Sequence, residues 1–243
     1  NNAWNYEYRA DCYILMGDHE NALRDLSSAI ELSSPESKAR FLNNRADYYK
    51  DLENYESSLA DYTEALKLPN APEYQKARAT NNRALIYNIQ GNHQQEIIEY
   101  KHIIDNYSHN IGEADKAKTY NNLADAYFSL KDYENALLYY STAIEYNPYN
   151  EGYFIDRSEC YVSLNDNNNA LIDLSKAIDL SEDYKAYYYT KRVDFYNDIN
   201  EYEKAIDDYD MAISISPRYT WPLNNKAVVL NDLELYEEAI ELC

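Results

Sequence analysis

Apolar and small residues recur along this chain in two alternating helical stripes. In the first, Tyr6, Ala10 and Tyr13 follow one another at spacings of four and three, as do Tyr120, Ala124 and Tyr127. At about 100° per residue such positions share one face of a helix. The second stripe holds Ala136, Tyr140 and Ala143 in one place and Ala205, Tyr209 and Ala212 in another, again on a single face. Small residues where the two faces meet let helix axes approach closely, and tyrosine or leucine fills the adjoining space. Gly17 and Gly91 stand between stripes, where a helix C-terminus calls for positive φ. Asp18, Asn92 and Asp132 follow as N-caps of the next helix. The pattern predicts pairs of antiparallel helices joined by tight turns.

The pairs repeat. Asn43-Asn44-Arg45-Ala46 and Asn81-Asn82-Arg83-Ala84 match Asn121-Asn122-Leu123-Ala124 and Asn224-Asn225-Lys226-Ala227. A second signature reads Tyr133-Glu134-Asn135-Ala136-Leu137, Tyr202-Glu203-Lys204-Ala205-Ile206 and Tyr236-Glu237-Glu238-Ala239-Ile240. Ala143-Ile144-Glu145 or Ala212-Ile213-Ser214 comes next, with Pro148 and Pro217 closing two copies. Aligned on the small residues, residues 1–243 form one array of about seven units, starting near Ala3, Ala39, Ala77, Ala117, Glu151, Ala186 and Thr220, the last of them incomplete.

These motifs resemble the tetratricopeptide family, whose unit is about 34 residues long. The resemblance implies an all-α fold, a right-handed superhelical solenoid of antiparallel helix pairs that binds proteins or peptides along a concave groove. One pair cannot bury its apolar face alone, so neighbouring pairs must stack. The last unit predicts an exposed apolar edge at Cys243, and the chain, opening at Asn1 without Met, reads as a fragment. The links Ser33 to Lys38, Pro69 to Lys76 and Ser108 to Lys116 are longer than later ones. They either extend helices or shape a binding rim.

Numbering each unit from its first residue, positions 2, 6, 9 and 13 lie opposite the apolar face of the first helix, the face that lines the groove in the family. Position 2 is Arg40, Arg78 and Lys118, and position 6 is Asn44, Asn82, Asn122 and, in the last unit, Asn225. Position 5 repeats asparagine as Asn43, Asn81, Asn121 and Asn224. An amide both donates and accepts, so a ladder of them can grip a peptide backbone, and the cations would add charge-assisted bonds to carboxylates. The competing reading is a solvated wall in which Asp47 and Asp125 at position 9 neutralise those cations. The two-carboxylate clamp of the family's chaperone-tail binders is not matched: Glu7 with Asp11, Asn43 with Asp47 and Asn81 with Leu85 stand where lysine and asparagine belong.

Arg9, Arg45, Arg83, Arg157 and Arg192 recur at position 7, which borders the buried face. Their stems can pack while the guanidinium reaches an acid on a neighbouring helix.

Composition narrows the function. The formal net charge of −21 repels phosphate backbones and anionic lipid, so no nucleic acid is expected as a partner, and no apolar run approaches the length that membrane insertion needs. The 4 glycines cannot supply a phosphate loop besides their turns. None of the 4 histidines pairs with carboxylates at metal spacing; His19 and His93 stand where other units have Tyr55, Tyr133 and Tyr202. No catalytic residue, metal or cofactor is expected. Cys12 and Cys160 are expected to pack as small apolar side chains in a reduced, cytoplasmic compartment. The 29 tyrosines suit half-buried interfaces. Three readings follow: a scaffold or adaptor holding a protein or an extended, acidic peptide; a regulatory or targeting arm of a larger enzyme or sensor; and an assembly platform whose outer surface holds partners or a second copy.

Overall fold

The computed structural model describes residues 2–242, leaving Asn1 and Cys243 outside the described residues. Among these residues there are fourteen α-helices, one 3₁₀ turn and no strand. The helices fall into two compact units, residues 1–135 and 136–243. The first holds α1 (Ala3–Leu15), α2 (His19–Glu31), α3 (Lys38–Asp51), α4 (Tyr55–Lys67), α5 (Glu73–Ile89), α6 (His93–Tyr107) and α7 (Glu113–Ser129). The second holds most of α8 (Tyr133–Tyr146), then α9 (Glu151–Ser163), α10 (Asn167–Leu180), α11 (Lys185–Asp198), α12 (Tyr202–Ile215), α13 (Thr220–Asp232) and α14 (Tyr236–Glu241).

One turn makes every pair. Gly17, Glu53, Gly91, Lys131, Asn165, Asn200 and Glu234 all adopt positive φ, between 57° and 72°. Each lies at position 15, and each is followed by a backbone N–H that reaches back across the helix end, as Asp18 N does to Tyr13 O at 2.9 Å and Asn200's successor Glu201 does to Tyr196 O at 2.8 Å. This double closure satisfies carbonyls the helix leaves unpaired. Only two of the seven are glycine, so the other five hold a left-handed conformation that costs an L-residue about 1 kcal/mol. Asp18, Asn54, Asn92, Asp132 and Asp166 then accept from the third backbone N–H of the next helix at 3.2–3.3 Å. The bonds from Asn21 hold the Asp18 carboxyl below its ordinary range.

Small residues set the crossings. Ala10, Ala46 and Ala84 at position 8 are buried, as are Ala22, Ala29 and Ala65 opposite them. In the second unit Ala170, Ala177, Ala205 and Ala212 do the same work around Leu174, Val193 and Tyr209. The third repeat departs from the rule, placing Glu96 and Ile103 where other repeats have alanine or serine, and both are buried.

The longer links are taken up by helix extension and by a short turn. α5 and α7 each begin four residues ahead of their repeat's first position and reach 17 residues, and a 3₁₀ turn forms over Ser108–Asn110. The cysteines divide, correcting one expectation. Cys160 is buried, and desolvation pushes its thiol up to about 11. Cys12, at the same position of the first repeat, is exposed, because no described helix precedes α1 to cover it.

A polar wall and rim recess on the first unit

The repeated arginines at position 7 are frame, not site. Arg9, Arg45, Arg83, Arg157 and Arg192 each bind the acid sixteen residues on: Asp25, Asp61, Glu99, Asp173 and Asp208. Four of the five are bidentate, with both contacts between 2.5 and 2.8 Å. Arg45, Arg157 and Arg192 also donate to a serine of the preceding repeat, Ser27, Ser141 and Ser175, at 2.8–3.0 Å. Each guanidinium therefore ties its own helix pair to the one before. The acids are buried, so each would be costly without its partner. In the fourth repeat both positions change together, to Leu123 and Tyr139.

The asparagines at position 6 also turn out to link repeats. Asn82 Nδ2 donates to Tyr62 Oη at 3.1 Å, and Asn122 Nδ2 to Tyr100 Oη at 3.1 Å, each tyrosine coming from position 24 of the repeat before. Both rings are buried, and desolvation raises both phenol pKa values. Repeat one has Leu26 at that place, and Asn44 instead donates to Glu7. Arg40 binds the same Glu7 at 3.2 Å while its guanidinium lies 4.2 Å over the Trp4 ring. Arg78 donates to Asn44 Oδ1 at 3.1 Å and to Asp47, which also accepts from Asn82 at 2.7 Å and from Tyr62. Trp4, Arg40, Glu7, Asn44, Arg78, Asp47, Asn82 and Tyr62 thus form one connected polar network along α1, α3, α4 and α5.

The sequence-derived site is therefore only partly assembled. Arg40, Asn44, Arg78, Asn82 and Asn122 lie half-buried on this wall with intramolecular partners. Asn43 does not reach it: fully buried, it donates to Gln75 O and Oε1 at 3.0 and 2.8 Å. Asn121 is buried as well, with its amide 3.4 Å from Asp125. Position 5 points closer to the packed face than position 6, and this 100° step takes both residues out of a ligand's reach. Asn225 belongs to the second unit and donates to Trp221 O of its own helix at 2.8 Å.

What remains open lies at the rim. Arg78, Asn81 and Lys118 line a recess of about 340 Å³ with Tyr74, Ala77, Ile103, Asn110, Ile111, Gly112, Asp115 and Thr119. Tyr74 and Asp115 come from the lengthened first turns of α5 and α7, and Asn110 to Gly112 from the 3₁₀ turn and its exit. Glu73, the first residue of α5, accepts from Asn110 and lies 3.1 Å from His109 Nε2, which clips the link to the helix. The residues that position-by-position reading missed, Tyr74, Ile103, Asn110 and Ile111, carried one signal, the uneven link lengths.

His93 sits 2.9 Å from Glu96 and His19 2.6 Å from Tyr48 Oη, so both serve packing. Among the described residues no group of three or more His, Cys, Asp and Glu is placed to hold a metal ion. No helix among them is long and apolar enough to cross a membrane.

Stacked helix pairs with a recurring turn, small-residue crossings and inter-repeat ties define a helical-repeat protein. Models of the tetratricopeptide repeat match residues 43–111, 117–150, 153–184 and 186–219, and the chain belongs to that family. Human serine/threonine-protein phosphatase 5 is 35% identical over 106 residues, which is 44% of this chain and 21% of the phosphatase. The chain thus spans about a fifth of the curated relatives it matches. A tetratricopeptide protein from Cytophaga hutchinsonii superimposes with a TM-score of 0.72 at 14% identity, covering 92% of this chain and 87% of that one. YrrB, described as having an unusual peptide-binding site, superimposes with a TM-score of 0.60 at 19% identity over 83% of this chain and 97% of its own. At such identities these structures share the fold.

Proposed function

We propose that the chain is a non-catalytic protein-binding scaffold, and that an extended segment of a partner protein lies along the first-helix wall of the first unit, across α3, α5 and α7. The observation that carries this reading is the rim recess, where Arg78, Asn81 and Lys118 meet an apolar lining of Tyr74, Ile103 and Ile111. Mixed polar and apolar walls of this size suit one or two peptide side chains. The network beneath it supports the same reading. It holds Arg40 and Arg78 in place while leaving over a third of each side chain exposed, so little ordering remains for binding to impose. The −21 net charge favours a protein over a nucleic acid as that partner. Free thiols at Cys12 and Cys160 suit a cytoplasmic setting.

The test is to select extended peptides from a displayed random library on the purified chain and to map a selected peptide by backbone amide shifts. Perturbations along α3, α5 and α7 are expected. Perturbations confined to α4 and α6, or to the second unit, would move the site elsewhere.

The phosphatase match favours a second reading, in which this array is the interaction arm of a longer enzyme. Sequencing the complete transcript separates the two: a catalytic domain in frame supports the arm, and a stop codon soon after Cys243 removes it.

A further inference from the structure

On the first unit, wall cations are cancelled by acids of the repeat before. Arg40 is held by Glu7 and Arg78 by Asp47. Asp47 stands at position 9 of the second repeat. At position 9 of the third repeat stands Leu85, half-buried and uncharged. Lys118 occupies in the fourth repeat the place Arg78 holds in the third, so the acid that would cancel it is missing. Lys118 is accordingly exposed and, among the described residues, has no ion-pair partner.

This loss falls where the fold has built a recess. Lys118 faces it with Asn81, whose amide makes one long donation among the described residues, 3.3 Å to Asn82, which leaves its carbonyl oxygen for a backbone N–H of a ligand. Ile103 is buried at the floor, and Tyr74 and Ile111 form apolar sides. Arg78 is engaged by Asp47, Glu73 by Asn110 and His109, and Lys116 by Glu113 at 2.8 Å, which leaves Asp115 as the carboxylate at the mouth. A chain this acidic repels an acidic segment almost everywhere, so a lysine with no ion-pair partner among the described residues, set in a shaped recess, fixes the place and the register of docking even with Asp115 at the mouth.

Resting on the scaffold reading above, we infer that the recess is an acid-reading subsite: Lys118 receives an aspartate or glutamate side chain of the partner segment, Asn81 accepts from its backbone, and an adjacent apolar side chain packs on Tyr74, Ile103 and Ile111. Specificity for that acid comes from Leu85, whose lack of charge leaves the lysine available.

The experiment uses the whole chain and peptides selected from the displayed library, each paired with a version in which the acid is replaced by its amide. Wild type should select Asp or Glu at one fixed register, and the amide version should bind about tenfold more weakly. Lys118→Gln should lower affinity for the acidic peptide by the same factor and remove the difference between the two peptides. Leu85→Asp should do likewise with the lysine intact, because the new carboxylate occupies it as Asp47 occupies Arg78. Lys118 is exposed, so its substitution leaves folding intact and decides the matter even if Leu85→Asp loosens the helix pair. Peptides that bind the wall without an acid preference, or whose preference survives Lys118→Gln, overturn the subsite and leave the scaffold reading standing. Failure of any peptide to bind the wall overturns both.

Discussion

The two units carry the same frame and different walls. Arg45 with Asp61 in the first unit is matched by Arg157 with Asp173 and Arg192 with Asp208 in the second, down to the serine of the preceding repeat. At position 2 the likeness ends. After Trp4 the first unit places Arg40, Arg78 and Lys118 there, whereas the second places Gly152, Tyr187 and Trp221, with no cation. On that face of the second unit Lys191 and Glu159 form a loose ion pair at 3.7 Å. In this chain, positions 7 and 23 carry what holds repeats together, and positions 2, 6 and 9 are free to vary because nothing in the stacking depends on them uniformly.

The sharpest way to break this comparison is to attack the frame. Arg157→Ala leaves the buried Asp173 charge without its partner and should cost about 3 kcal/mol in chemical denaturation. Replacing both, Arg157→Leu with Asp173→Tyr, copies the pair of residue types at Leu123 and Tyr139 and should recover most of that loss. No recovery would mean the staple does more than satisfy its own charges. A wall residue should matter less. Asn82→Ala removes donations to Asp47 and Tyr62 and should cost about 1 kcal/mol, with helix content by circular dichroism unchanged. A loss equal to that of Arg157→Ala would erase the distinction between frame and wall.

Two further changes probe the turn and the odd third repeat. Glu53→Gly should stabilise by roughly 0.5–1 kcal/mol, since it relieves a left-handed residue that Gly17 and Gly91 show to be glycine-compatible. The smallest effect concerns pH. Burial pushes the Glu96 carboxyl up, partly offset by hydrogen bonds from His93 and Asn88. The fold therefore prefers its neutral form, so its contribution to stability is full below the ordinary carboxylate range of about 4 and is lost as pH rises through the raised value. Glu96→Gln should flatten that part of the thermal-stability profile. The second unit has Ala170 and Ala205 at the same position, so substituting either should leave the profile's shape in that window as it is.

Much of the frame was legible in the residues. The spacing of Tyr6, Ala10 and Tyr13 marked a packed face, and Gly17 with Asp18 marked a turn and a cap, because each has one local solution. The arginines at position 7 could be read as structural, but their partners could not be named among so many acids. Glu53, Lys131 and Glu234 gave no hint of positive φ, since the stacked helices impose it against local preference. The wall was legible as a set of positions but not as a state. Asn43 and Asn44 are neighbours in sequence, yet one is sealed in the core and the other sits in the network.

By itself the sequence determined the helices, their pairing and the places where repeats touch, since periodicity and capping act within a few residues. Only the tertiary structure decided which polar groups were already occupied. Arg40, Arg78 and Lys118 look equivalent along the chain. The acid that cancels the first comes from 33 residues away and that for the second from 31, while for the third the place equivalent to Asp47 is held by Leu85. Whether a charge is available to a partner depends on what the preceding helix pair brings against it, and that is fixed only when the pairs stack.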